Sequence, residues 1–235
     1  MTSSTLPTVL VAGASRGLGL ALVEEYLRRG WRVIATVRGA PPTALAGLSD
    51  APGDRLGIEH LDIASGEDIA ALRRRLDGQA IDLLFVNAGL APENRNADAA
   101  SIGDAEFARV MATNVLGPMR MLEAFDTLVP ANGILAVMSS RLGSIAENEI
   151  DLGWAVYRSS KVALNQMLRS FANARVGAGR TVLAVAPGWV RTAMGGADAP
   201  LTVDQSIPRV VDVVASHAGV PGAHFVNYEG DVVPW

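Results

Sequence analysis

Short apolar runs alternate along this chain with longer segments of helical period, and few folds accommodate that alternation. A short apolar run flanked by turns reads as a strand buried on both faces, and helices between such strands cover a parallel sheet from both sides. The runs Val9–Ala12, Val33–Val37, Gly57–His60, Leu83–Val86, Ile134–Met138 and Val182–Ala186, with a last one near Phe225–Val226, predict about seven strands. Between them Ile69, Leu72 and Leu76 mark one amphipathic helix, and Ile207, Val210, Val211 and Val214 mark another at i, i+3, i+4 and i+7. The expected fold class is α/β: a single-domain, Rossmann-type doubly wound sheet of about seven parallel strands with helices on both faces. A length of 235 residues suits one such domain over 1–235, with residues 1–7 as a frayed tail. Two stretches break the pattern, Leu90–Ser101 and Met194–Leu201, both rich in Gly, Ala, Pro, Asn and Asp. They follow strands at the carboxyl edge of the sheet, where open α/β folds bind ligands, so both are expected to be mobile walls of a site.

Composition removes several classes of function. The chain has no cysteine, which excludes disulfides, thiolate nucleophiles and cysteine-based zinc sites together. His60, His217 and His224 are scattered without metal spacing, and no metal is expected. A formal net charge of −4 argues against a nucleic-acid partner. The densest basic run, Arg73-Arg74-Arg75, follows Ile69 and Leu72 at helical spacing and reads as a solvated helix face. No apolar run approaches the roughly 18 residues of a membrane span. The start Met1–Pro7 lacks the basic residues and apolar stretch of a signal peptide, so the expectation is a cytoplasmic protein with no membrane partner.

The first strand runs into Gly13-Ala14-Ser15-Arg16-Gly17-Leu18-Gly19 and then into a helix-forming stretch. Glycines at these places allow a tight turn, close approach of a phosphate to backbone N–H groups and close packing of helix on strand. Gly13, Ser15, Arg16, Gly17, Leu18 and Gly19 are therefore the candidate cradle of a dinucleotide, although the spacing is not the Gly-x-Gly-x-x-Gly form. An acidic residue at the end of the second strand would bind the ribose hydroxyls of NAD and repel the 2′-phosphate of NADP. Val37 stands where that acid would be, Arg38 follows it, and Arg16 lies in the turn, so two guanidiniums are available to clamp a phosphate. The pattern favours NADP(H), with NAD(H) as the alternative.

Further pieces fall at the ends of later strands. Asp62 follows the third and Asn87-Ala88-Gly89 the fourth, where a small-residue turn lets a flat ring lie against backbone; a helix cap and a simple loop are the plainer readings. Asn114 lies on or beside the apolar stripe of a helix, with Pro118 four residues later. Proline has no N–H, so the Asn114 carbonyl loses its intrahelical donor and needs water or a side chain instead. The fifth strand ends in Ser139-Ser140, a hydroxyl pair able to donate to a substrate carbonyl oxygen or to cap the next turn. No His–Asp pair at nucleophile-elbow spacing accompanies it, which argues against a serine hydrolase. Of 20 basic side chains only Lys161 is lysine, one helical turn beyond Tyr157 and so on the same face. A fixed ammonium near a phenol favours phenolate and lowers its pKa, making Tyr157 a candidate general acid or base.

Gly13-x3-Gly17-x-Gly19, Asp62, Asn87-Ala88-Gly89, Asn114, Ser140, Tyr157-x3-Lys161 and Pro187-Gly188-x-Val190-x-Thr192 together resemble the short-chain dehydrogenase/reductase family over almost the whole chain. The ending Asn227-Tyr228-Glu229-Gly230-x3-Pro234-Trp235 and the long segment between Ser140 and Tyr157 resemble its C-factor and sniffer-like carbonyl-reductase branch. The resemblance implies Tyr157 as proton donor, Ser140 as the group that orients the carbonyl, and Lys161 as both the tuner of Tyr157 and a ligand of the nicotinamide ribose. It implies that the Asn114 carbonyl holds a water in a proton relay, that Asp62 and Ile63 contact adenine, and that Pro187, Gly188, Val190 and Thr192 contact the nicotinamide end. Ala12 and Val86 depart from the family pattern, in place of a Thr and of the first Asn of Asn-Asn-Ala-Gly. The longer Ser-to-Tyr segment leaves Ser139 as the competitor of Ser140.

The expected activity is NADPH-dependent reduction of a ketone or aldehyde to an alcohol, with a small-molecule substrate and a pocket involving Leu90, Leu142, Trp154, Trp189 and Met194. The rivals are an NAD-linked alcohol dehydrogenase and a cofactor-binding signalling protein with little turnover. Family resemblance also implies a homodimer or homotetramer, with the exposed face of the Tyr157–Ala174 helix, including Val162, Gln166 and Arg169, as one interface.

Overall fold

Successive side chains of a strand point to opposite faces of its sheet, so a strand apolar at every position is stable only where both faces are covered. The computed structural model describes residues 6–48, 54–149 and 153–235 and meets that condition. Its strands are β1 (Thr8–Ala12), β2 (Arg32–Val37), β3 (Leu56–His60), β4 (Leu83–Val86), β5 (Ile134–Met138), β6 (Thr181–Ala186) and β7 (Gly222–Asn227). They form one seven-stranded parallel sheet in the order β3-β2-β1-β4-β5-β6-β7. The order reverses beside β1, where Ala12 pairs with Val86 of β4, and that reversal opens a crevice at the carboxyl edge. Position 7 is already part of the sheet, since the Pro7 carbonyl accepts the Arg32 N–H at 2.9 Å; the rest of the expected tail, residues 1–5, lies outside the described residues, with Leu6 exposed.

The helices are α1 (Gly17–Arg28), α2 (Thr43–Gly47), α3 (Gly66–Arg75), α4 (Asp104–Met111), α5 (Gly117–Phe125), α6 (Ala155–Asn173) and α7 (Val203–Ser216). Strand alternation divides the core between them. Leu10, Leu84, Leu135 and Val182 pack with Leu72 of α3, Leu122 and Phe125 of α5 and Leu164 and Leu168 of α6. Val9, Val11, Phe85, Ala136 and Leu183 pack on the other face with Leu22 and Tyr26 of α1 and Ile207, Val210 and Val214 of α7. Each fully buried Leu, Val or Phe contributes about 1.5–3 kcal/mol, which is what holds the seven strands side by side. Local signals set the helix starts: Ser65 accepts the Asp68 N–H ahead of α3, and Thr202 with Gln205 forms a reciprocal capping box ahead of α7.

Between α4 and α5 the chain makes a π turn over Ala112–Leu116, with the Gly117 N–H bonded to the Ala112 carbonyl. Pro118 sits at the start of α5. The missing proline N–H thus shows as a widened turn in an otherwise continuous helical run, and Asn114 lies inside it.

Candidate active site

The turn after β1 closes on itself at two positions where nothing larger than glycine fits, Gly13 and Gly19. Gly13 is left-handed (φ 89°), and a Cβ there would come within 2.8 Å of the Ala88 Cα; a Cβ on Gly19 would meet the Gly13 carbonyl oxygen at 2.0 Å. The Asn87 Nδ2 donates to that same carbonyl at 2.8 Å. From the other side Thr36 receives two amides, Gly13 N–H on its hydroxyl at 3.1 Å and Ala14 N–H on its carbonyl at 2.8 Å. Thr36 is a residue that sequence reasoning passes over, because a threonine near a strand end carries no signal of its own. It ties the turn to β2 where Ala12 has no side chain able to do so.

Arg16 precedes α1 in extended conformation, with no side-chain cap and no acidic residue in the first turn. The leading N–H groups of a helix lack intrahelical partners and carry its positive end, so this terminus is suited to a phosphate. Ser15 and Arg16 are exposed beside it and Leu18 is half-buried against the core. At the end of β2, Val37 is buried in the core, and Arg38 is the first exposed side chain beyond it. The charge at this edge is therefore set by Arg38. Asp62 closes a local turn through its Oδ1, which accepts the Ala64 N–H at 3.0 Å, while Ser65 is the residue that caps α3. The Ile63 side chain belongs to the core, which leaves only its backbone for a base.

The chemical groups converge further along the same edge. At the end of β5 the two serines divide: Ser139 is buried and donates to Asn165 Oδ1 of α6 at 2.7 Å, whereas the Ser140 hydroxyl accepts the Leu142 N–H at 3.2 Å and bonds to the Tyr157 side chain, favouring the phenolate. Ser140, then, is the serine beside Tyr157. Lys161 is buried, and its Nζ donates to the Met138 carbonyl at 2.8 Å and lies 5.7 Å from the centre of the Tyr157 ring. Gly89 backs both Lys161 and Asn114: a Cβ on it would lie 3.5 Å from the Lys161 Nζ and 3.4 Å from the Asn114 Oδ1. Asn114 is fully buried; its Oδ1 accepts the Leu90 N–H at 2.8 Å, and its Nδ2 donates to the Leu90 carbonyl at 2.8 Å and to Ser160 Oγ at 2.9 Å. Ser160 donates in turn to the Tyr157 carbonyl at 2.6 Å. Ser160 and Asn165 are a second pair that sequence reasoning missed; each is a polar residue at helical spacing from Tyr157 or Lys161 on α6.

Electrostatics differ from the sequence-based expectation. Burial pushes the Tyr157 phenol up to about 12, with the Ser140 hydroxyl as the opposing influence, and burial pulls Lys161 down to about 8. The ammonium does not bring the phenol below its ordinary value, because both groups are buried and the Lys161 Nζ is bonded to backbone. At neutral pH the lysine still carries its charge.

The loop after β6 completes the site. Pro187 is held by the Ser206 hydroxyl of α7 at 2.7 Å, and Val190 pairs with Leu201. Gly188 is left-handed (φ 83°) against Leu201 and Tyr228, and Thr192 packs beside Gly17, its Cγ2 3.7 Å from where a Cβ on that glycine would stand. The loop therefore folds back onto the β1–α1 turn. Of the expected pocket residues, Leu90 is bound to Asn114, Leu142 to Ser140, and Trp154 meets the Tyr157 ring edge-on at 5.6 Å. Trp189 is 57% exposed with its indole N–H on the Gly195 carbonyl at 2.7 Å, and Met194 is half-buried. Among the described residues no helix is long and apolar enough to cross a membrane, and no cluster of ligating side chains could hold a metal ion.

The family model for short chain dehydrogenase matches residues 7–201. C-signal of Myxococcus xanthus is 34% identical over 160 residues, covering 66% of this chain and 93% of its own. A solved short-chain dehydrogenase/reductase structure from Burkholderia multivorans with bound NADP superposes with a TM-score of 0.95 at 45% identity, covering 98% of this chain and 100% of that one. A carbonyl reductase from Pseudomonas aeruginosa in complex with NADP superposes with a TM-score of 0.90 at 35% identity, over 98% and 100% of the two chains.

Proposed function

The chain belongs to the short-chain dehydrogenase/reductase family as an NAD(P)-dependent oxidoreductase, and from that premise we propose that it reduces a ketone or aldehyde with NADPH, Tyr157 delivering the proton. The observation that carries this reading is the convergence of Ser140, Tyr157 and Lys161 at the carboxyl edge, the same edge that holds the Gly13–Gly19 turn with its two positions closed to any side chain.

Several features fit a dinucleotide. The uncapped start of α1 and the tight Gly13–Gly19 approach suit a pyrophosphate, and Arg16 and Arg38 supply exposed guanidiniums for a 2′-phosphate. In this reading Asp62 and the Ile63 backbone would contact the adenine, the small-residue turn Asn87-Ala88-Gly89 would let a flat ring pack against its backbone, and Pro187, Gly188, Val190 and Thr192 would contact the nicotinamide end. When bound, the nicotinamide supplies the hydride.

The protein's own groups handle the proton and the developing charge. The Ser140 hydroxyl donates to the substrate oxygen, and Tyr157 transfers its phenolic proton to that oxygen as the carbonyl is reduced. A phenol that burial keeps protonated to about pH 12 is a ready donor at neutral pH. Lys161, still charged at that pH, stabilises the phenolate left behind and holds the cofactor ribose. The Asn114 side chain is fully engaged with Leu90 and Ser160, so a relay role falls to its backbone carbonyl inside the π turn.

The test is NADPH oxidation over a panel of ketones and aldehydes with the parent and Tyr157→Phe. Turnover in the parent that collapses in the variant while NADPH binding persists is the expected result. A parent that binds NADPH and turns over no carbonyl, in either direction, would overturn the reading in favour of a cofactor-binding signalling role. For assembly, the reading is a homodimer or homotetramer through the outer face of α6. Gln166 is exposed there, and Arg169 is exposed although its guanidinium stacks on Trp235.

A further inference from the structure

Trp154 is where backbone strain and long-range contacts meet. Its backbone is left-handed (φ 63°, ψ 25°) directly ahead of α6, and Gly153 before it is left-handed too (φ 68°). A bulky aromatic residue stays in that region only where its surroundings hold it. The contacts that hold it come largely from one residue of the 90–101 loop. The Arg95 carbonyl accepts the Trp154 N–H at 3.1 Å, the Arg95 guanidinium lies 4.8 Å over the indole ring, and its Nη2 donates to the Ala193 carbonyl at 3.2 Å. Next in sequence, Asn96 lies so close to Gly153 that a Cβ on that glycine would come within 2.8 Å of its Oδ1. On its far side Trp154 meets Tyr157, with the ring planes at 75°.

We infer that Arg95 is a positioning residue of the carbonyl pocket: it holds the Trp154 indole against Tyr157 as a fixed apolar wall and fastens that wall to the loop that follows β6. The inference rests on the reductase reading and goes beyond it, since it adds a residue that touches neither the phenol nor the serine. Arginine suits the task because its planar guanidinium stacks on an indole while its N–H groups, lying in the same plane, still reach a carbonyl; lysine keeps the charge and loses the plane. A flat apolar wall beside the proton donor favours a carbonyl carrying an aryl group over a small aliphatic one.

The experiment compares Arg95→Ala, Arg95→Lys and Trp154→Phe with the parent in two measurements. Acrylamide quenching of tryptophan fluorescence, with Trp154→Phe identifying the contribution of Trp154 among the four tryptophans, reports whether the indole is held. Steady-state NADPH oxidation with benzaldehyde and acetaldehyde reports the pocket. Arg95→Ala is expected to raise the quenching of the Trp154 component and to lower kcat/KM for benzaldehyde about tenfold, through KM, the scale of one lost cation–π contact. Acetaldehyde turnover and NADPH affinity should change less than about twofold, and Arg95→Lys should recover part of the loss. Parental quenching in Arg95→Ala overturns the inference, as does an equal loss on both aldehydes and on NADPH, which marks a general loosening. If the parent oxidises NADPH with neither aldehyde nor any other carbonyl, the reductase reading fails, and the quenching comparison still decides whether Arg95 holds the indole.

Discussion

The two edges of the sheet use their polar groups differently. At the amino edge they satisfy one another: Asp126 takes both Arg175, at 3.1 Å, and Arg180, Asp82 accepts the Thr8 N–H at 2.8 Å, and the Thr181 hydroxyl bonds to the His217 carbonyl at 2.7 Å. At the carboxyl edge Ser139 pairs with Asn165 and Asn114 with Ser160, but other polar groups are left facing outward or held by backbone: the start of α1 has no cap, Arg16 and Arg38 are exposed, and the Lys161 ammonium rests on a carbonyl. Both edges end the same strands, so strand sequence does not make the difference. It comes from what the loops bring, and it teaches that the amino edge closes the fold while the carboxyl edge is kept ready for a ligand.

That contrast can be broken by four measurements. The largest effect is expected at the carboxyl edge, where Tyr157→Phe should reduce the chemical step at least the roughly 10²-fold typical of general acid catalysis, with NADPH affinity and melting temperature near parental. Near-parental turnover would show that the edge holds another proton donor. Arg38→Asp should weaken NADPH by about 10- to 100-fold, and NADH far less, because one charge-assisted contact is lost and a repulsion is added. Equal weakening of both nucleotides in a titration would remove the NADP preference. At the amino edge the direction reverses: Asp126→Ala should cost about 1–2 kcal/mol in urea unfolding, by removing the carboxylate that two guanidiniums share, and should leave kcat/KM unchanged. A loss of activity without a loss of stability would merge the two edges into one functional unit.

The fourth measurement is a pH dependence. Burial pulls Lys161 from 10.5 to about 8 and pushes Tyr157 from 10.0 to about 12. Between about pH 8 and 10.5 the unfolded chain binds a proton at Lys161 that the folded chain has released, so folding stability rises with pH across that window. Above about pH 10 the unfolded chain loses the tyrosine proton first, and stability falls. In urea unfolding without added nucleotide, the parent should therefore gain on Lys161→Met from pH 8 to 10. A constant difference between the two would mean that the ammonium is solvated in the folded protein.

The seven strands, the glycine turn and the Ser–Tyr–Lys set were legible because each depends on local pattern: strand period, the absence of a Cβ at Gly13 and Gly19, and one helical turn from Tyr157 to Lys161. Position along the chain already put them at one edge, since in a parallel sheet every strand ends on the same side. What residue order alone left open concerned direction and depth. Ser139 and Ser140 are adjacent and chemically equal, and it is Asn165, arriving on α6, that takes one and leaves the other to Tyr157. The phenol's pKa runs opposite to the expectation from spacing, because desolvation is a property of the assembled core and outweighs a neighbour one turn away. Thr36, Ser160 and Arg95 acquire their roles only through partners distant in sequence. Residue order was enough for the architecture and for naming the groups proposed to react; tertiary structure decided which way they face, how dry they are and what holds them.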